Sequence, residues 1–168
     1  MTVSMHAISV PIFVRTLGNL TAILDKAAAH AQAKKIDPAV LLGLRLFPDM
    51  FALTRQIQLA SDFAKGAVAR LVGQDPPKFD DNETTLEQLQ ARIARTIDFV
   101  RSIEPGAFEG AETREISLKV RDTVQKHAGL PYLIHIALPN FFFHATTAYD
   151  ILRHNGVELG KRDFIGST

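Results

Sequence analysis

The chain has 168 residues, 19 of them basic and 18 acidic, for a formal charge of +1; 46% are apolar and 22% charged. That size suits a single domain, residues 1–168, with a full core. The balanced charge offers no basic field for nucleic acid and no polybasic membrane signal, and the absence of Cys excludes disulfides, thiolate metal sites and Cys nucleophiles.

The first periodic segment covers residues 8–35. Ile8, Ile12, Val14, Leu17, Leu20, Leu24, Ala27, Ala28 and Ala31 recur near the helical period. Pro11 is tolerated near its start, Ser4 or Ser9 can cap it, and Lys34-Lys35 suits its C-terminus. Asp37-Pro38 restarts a helix, with an N-cap aspartate and proline in the first helical position. Pro48 either kinks this helix or separates a short one from a longer one. Residues 49–71 are helical again through Met50, Leu53, Ile57, Ala60, Ala64, Val68 and Leu71, up to Gly73. Gln74-Asp75-Pro76-Pro77 reads as a loop. Thr84-Thr85-Leu86-Glu87 matches a capping box and opens a third helix. Its stripe is Leu86, Leu89, Ile93, Ile97 and Val100, with Arg92, Arg95 and Arg101 mostly off it. Glu104-Pro105-Gly106 closes it.

Glu115-Ile116-Ser117-Leu118-Lys119-Val120 alternates polar and apolar, the period of a half-buried strand. Residues 124–127 supply a weaker partner, and the two predict a β-hairpin. The last long helix begins near Leu130-Pro131, bends at Pro139 and ends at Gly156. In the tail, Phe164-Ile165 can dock on the bundle. Eleven Phe against two Tyr and no Trp point to rings that are mostly core, since Phe has no polar handle. No apolar run is long enough to cross a bilayer and no secretion signal opens the chain, which fits a cytoplasmic protein. The pattern as a whole predicts a mainly α fold: a four-helix bundle with a short β-hairpin insertion before the last helix.

At a hundred degrees per residue, Asn140, His144, Ala148 and Ile151 fall on one stripe, with Thr147 beside it. Asp49, Leu53, Gln56, Ala60 and Phe63 share a face of the second long helix. A buried amide without a partner costs roughly 1–3 kcal/mol. Gln56, Asn140 and His144 are therefore expected to satisfy one another where these helices meet. Two readings are open: a ligand pocket lined by these three, with Asp49, Phe143, Thr147 and Tyr149 nearby, or a polar layer that fixes helix register. Tyr149 itself points away from the His144 face. No HxxxH or ExxH spacing occurs, and one imidazole with two amides is a poor divalent-metal site. No cofactor is expected; the alternative is a divalent metal near His144. There is no G-x-S-x-G motif and no Gly-rich phosphate loop. Asp62 and Lys65, three residues apart, read as a surface ion pair, and His6, His30 and His127 as exposed.

Three stretches carry a family resemblance. Pro48-Asp49-Met50-Phe51, Arg55-Gln56-Ile57-Gln58 and above all Leu138-Pro139-Asn140-Phe141-Phe142-Phe143-His144, continuing through Tyr149-Asp150-Ile151-Leu152-Arg153, resemble the DUF1993 family. That family is similar in turn to the DinB/YfiT-like metalloenzyme superfamily. The resemblance implies a DinB-like four-helix bundle, often dimeric. Many superfamily members hold a divalent metal through one His on the second helix and an HxxxH pair late in the bundle; some are thiol-dependent transferases or hydrolases. In this alignment His144 takes the place of the second ligand of the pair, Asn140 that of the first, and Gln56 that of the remaining one. Two of three ligands are then amides. The expectation is a small-ligand-binding bundle without a fully formed metal site, pairing with a second copy of itself. The alternative is a thiol- or small-molecule-dependent transferase or hydrolase with His144 as catalytic general base.

Overall fold

The computed structural model describes residues 3–166. Helix α1 spans Val10–Lys34. The chain turns into it through residues 4–9, where the buried Ser9 hydroxyl donates to the Met5 carbonyl at 2.6 Å instead of capping. Pro11 lies in its first turn, and Lys35, in the left-handed region at φ 55°, ends it. Phe13, Leu17, Leu20, Leu24, Ala27 and Ala31 form its buried stripe.

The short helix α2, Pro38–Gly43, starts as expected: the Asp37 carboxylate accepts from the Ala39 N–H at 2.9 Å. Helix α3, Leu53–Leu71, starts later than its periodicity suggests. No side chain caps it, so nothing marks the start locally. Instead the Leu53 N–H reaches back to the Leu44 carbonyl at 2.9 Å, folding residues 44–52 into a surface loop. Helix α4, Leu86–Ser102, is capped by Thr85, which accepts from Gln88 N–H at 3.2 Å. Gln88 returns the contact by accepting from Thr84 N–H at 2.6 Å, so the capping pair sits one residue later than expected.

Strands β1 (Glu115–Val120) and β2 (Thr123–Ala128) pair antiparallel, with Glu115 opposite Ala128 and Val120 opposite Thr123. Ile116 alone is fully buried in the pair. Gly129 follows, where a Cβ would lie 1.8 Å from the Ala111 carbonyl oxygen; only glycine allows the hairpin to close on the bundle here.

The last long helix has three parts: α5 (Gly129–Tyr132), a wide π turn (Leu133–Ala137) and α6 (Leu138–His154). Within the π turn the Leu138 N–H bonds Leu133, five residues back. Pro139, which has no N–H, follows directly, so the expected bend is met by a widened turn. Gly156, at φ 90°, ends the run. Helix α7, Lys161–Ile165, docks on α1: Asn19 Nδ2 donates to the Phe164 carbonyl at 2.9 Å, and Lys26 pairs with Asp163 at 2.7 Å.

Helix α1 packs on α4, α4 on α3, α3 on α6, and α6 back on α1. Chain order and ring order therefore differ, and the hairpin belongs to the long connection from α4 to α6. The interior is mainly apolar, with Phe13 edge-on to Phe141 at 4.9 Å. Such a pair adds about 0.5–1.5 kcal/mol beyond its buried area. Phe is less confined to the core than its chemistry suggests. Only Phe13, Phe108 and Phe141 are buried, while Phe47, Phe51 and Phe143 are more than half exposed.

Candidate functional site

The α3–α6 contact brings two of the expected polar residues together. His144 Nδ1 lies 2.8 Å from Gln56 Oε1, with both side chains buried. The Phe63 ring stacks on the imidazole at 5.5 Å, and Phe143 meets it edge-on at 5.3 Å. Gln56 Nε2 donates to the Phe51 carbonyl at 3.1 Å.

Those bonds fix a protonation pattern. A carbonyl only accepts, so the Gln56 atom facing Phe51 is its NH₂. Its other atom is then the amide oxygen, which requires a proton on His144 Nδ1. In the neutral ring Nε2 is left with a lone pair. Nε2 bonds none of the described residues. Burial, and secondarily the nearby Arg55 charge, push the His144 pKa below 6.5. The site thus holds a neutral imidazole, pinned at Nδ1, with an acceptor nitrogen that no described residue engages.

The remaining expected residues lie elsewhere. Asn140 donates through Nδ2 to the Ile136 carbonyl at 2.7 Å, within its own helix at the edge of the π turn. Its amide nitrogen therefore serves the backbone the widened turn disturbs, instead of His144. Asp49 is exposed in the loop before α3, not on its inner face. Thr147 is buried, but its hydroxyl donates back to the Phe143 carbonyl at 2.7 Å. Tyr149 packs edge-on against Phe164 of α7. Phe143 borders the imidazole and is 55% exposed, which makes it the rim. Cavities of about 460, 550 and 600 Å³ lie at other places, lined by residues such as His30 and Lys34, Met5 and Phe108, or Lys65 and Phe79. The polar contact of Gln56 and His144 is filled.

A second polar group corrects the sequence reading, which set Arg92 mostly off the inner stripe of α4. Arg92 is fully buried. Its Nη2 pairs with Asp62 at 2.8 Å and Asp81 at 3.0 Å; its Nη1 binds Glu83 at 3.0 Å and the Asp80 carbonyl at 3.0 Å. Asp62 and Lys65 do pair, at 3.1 Å, but Lys65 is buried and donates to the Pro77 carbonyl at 2.8 Å. This pair belongs to the Arg92 cluster, not to a solvated surface. Burial works to raise the Glu83 pKa, but hydrogen bonds from Arg92 and Gln58 outweigh it and hold the carboxyl below its usual range. Arg92, three residues after Leu89 and four before Thr96, shares their inner stripe. That spacing, with the acidic loop at residues 80–83 just upstream, was the available signal. All three histidines expected outside, His6, His30 and His127, are half-buried; His6 lies edge-on to Phe108.

The family model for DUF1993, a domain of unknown function, matches residues 5–165. The chain belongs to the DUF1993 family. Its fold is DinB-like: a crystal structure described as a DinB family member protein from Shewanella denitrificans is 46% identical to this chain, with a TM-score of 0.93. The match covers 98% of this chain and 93% of that one. No curated protein matches.

A divalent metal near His144 would have to draw on His144, Asn140 and Gln56. Gln56 has both polar atoms engaged, and Asn140 is turned to Ile136. Among the described residues no group of three or more His, Asp or Glu side chains is placed to hold an ion. The donors around His144 do not fit a three-ligand divalent site. No helix among the described residues is long and apolar enough to cross a membrane.

Proposed function

We propose that this DUF1993 protein binds a small ligand at His144, with Nε2 as the acceptor for a ligand O–H, N–H or S–H. The observation that supports this is the relay from the Phe51 carbonyl through Gln56 to Nδ1, which holds one tautomer and one ring orientation. A ring held this way needs no metal to be presented for binding. Phe63 behind the ring and Phe143 at its edge supply apolar surface for the body of the ligand. Exposed Ile134, Phe142 and Phe143 along α5–α6 support a homodimer as part of this reading.

The lowered His144 pKa favours a second reading. An unprotonated imidazole near neutral pH is ready to take a proton from a small thiol or other nucleophile, as a transferase or hydrolase requires. Both readings use the same nitrogen, and one experiment addresses the site. A panel of small thiols, alcohols and amines is screened by thermal shift against the parent protein and His144→Phe. A ligand at 100 times its Kd stabilises by about 2.7 kcal/mol, which is roughly 8 °C for a chain of this size. A compound that shifts the parent and leaves His144→Phe unmoved supports the site. Equal shifts in both proteins count against it.

A further inference from the structure

We propose that Arg55 is the second ligand-binding group of the His144 site and that Asp81 holds the place a ligand carboxylate takes. The proposal rests on the reading of His144 given above and names the ligand class: a small carboxylate bearing a hydroxyl.

Five side chains form a closed ring. Arg55 Nη1 contacts Asp81 Oδ2 at 2.5 Å, Asp81 Oδ1 contacts Arg92 Nη2 at 3.0 Å, and Arg92 Nη1 contacts Glu83 Oε1 at 3.0 Å. Glu83 Oε2 accepts from Gln58 Nε2 at 2.8 Å, and Gln58 Oε1 accepts from Arg55 Nη1 at 3.1 Å. The ring has an inside and an outside. The Arg92 and Glu83 side chains are 0% and 4% exposed, while those of Arg55 and Asp81 are 37% and 42% exposed.

The links are therefore not equivalent. Breaking Arg92–Glu83 would strand two charges in the interior. Without Asp81, Arg92 keeps Asp62, Glu83 and the Asp80 carbonyl. Arg55 alone would lack an anion, and it faces solvent. The Arg55–Asp81 contact is thus the exchangeable one. A carboxylate from outside can replace Asp81 on the planar guanidinium, whose donors match that geometry.

Position connects this exchange to His144. Arg55, Leu59 and Phe63 follow one another at four-residue spacing on α3, hence on one stripe, and Phe63 stacks on the imidazole. Gln56, the next residue after Arg55, holds Nδ1. A hydroxycarboxylate bridging the two groups gives its carboxylate to Arg55 and donates its O–H to Nε2, with Phe63 and Phe143 beneath and beside it.

The test is an NMR titration of isotope-labelled protein with glycolate, and with acetate and inorganic phosphate as comparison anions. The expected result is that glycolate moves the Arg55 side-chain Nε–H and the His144 ring signals together with one Kd, and more tightly than acetate. An exposed ion pair is worth at most ~1 kcal/mol, so Asp81→Asn, by removing the competing carboxylate, should tighten glycolate up to about fivefold. Arg55→Gln should abolish the response to all three anions. If His144 responds and Arg55 stays silent, or Asp81→Asn leaves the affinity unchanged, the Arg55 assignment fails while the His144 site stands. Silence at both residues overturns this proposal, while the thermal-shift panel decides the His144 reading separately. Phosphate binding as well as glycolate would replace the carboxylate class with a general oxyanion and so also count against the proposal.

Discussion

Replacing Gln56 with Leu tests the central contact most directly. The change keeps the side chain near its original size and deletes the oxygen 2.8 Å from His144 Nδ1. The imidazole N–H would then face an apolar group in a buried position. Leaving such a donor unpaired costs about 1–3 kcal/mol. For a chain of 168 residues, 1 kcal/mol corresponds to roughly 3 °C, so Gln56→Leu should lower Tm by about 3–9 °C. The Phe51 carbonyl also loses its donor, but Phe51 is exposed and water can replace it. Removing both polar partners together should cost much less than the two single changes combined. A thermal double-mutant cycle with His144→Leu should therefore show coupling of about 1–2 kcal/mol. Nitrogen chemical shifts of the parent ring should show the proton on Nδ1. A Gln56→Leu protein that melts with its parent, single changes that simply add, or a proton found on Nε2 would refute the reasoning.

Three further outcomes follow from other parts of the molecule. Because the folded state holds His144 below its ordinary 6.5, the unfolded chain takes up a proton first as pH falls. The His144 contribution is therefore complete above pH 6.5 and is lost as pH drops toward the folded value; urea melts should show this slope in the parent and not in His144→Phe. Arg92→Met leaves the buried Glu83 carboxylate without its main partner and should cost about 3–5 kcal/mol in the same melts, with Glu83→Gln restoring part of the loss. Gly129→Ala places a methyl group 1.8 Å from a backbone oxygen, so it should cost roughly 3 kcal/mol or more, or prevent folding; a parent-like Tm would show that the hairpin can shift freely.

The fold was legible because its signals are local. Apolar periodicity marks α1, α3, α4 and α6, Asp37-Pro38 marks α2, and the alternation from Glu115 marks β1. The start of α3 was not legible, because its anchor is a backbone bond from Leu53 to Leu44 with no side-chain cap. That error carried Asp49 onto a face it does not occupy. Gln56 and His144 could be paired from sequence because each is a polar residue on an apolar stripe of helices that meet. Asn140 looked equivalent, but the π turn just before Pro139 gave the amide a nearer partner in Ile136. Arg92 was missed for a different reason. An arginine at the margin of an apolar stripe reads as lying off it until its carboxylates are known, and two of them arrive from a loop with no periodicity of its own.

The widened turn at Leu133–Ala137 has a lasting consequence for the chain. It houses one residue more than ordinary helical spacing would need, and the surplus is absorbed within a single turn. A version one residue shorter there, with alanine for Pro139, could regain regular spacing while both flanks keep their seats. The same deletion made inside α6, ahead of His144, would swing the imidazole by about 100° away from Gln56. A one-residue deletion in this chain should thus be tolerable on one side of Pro139 and ruinous on the other.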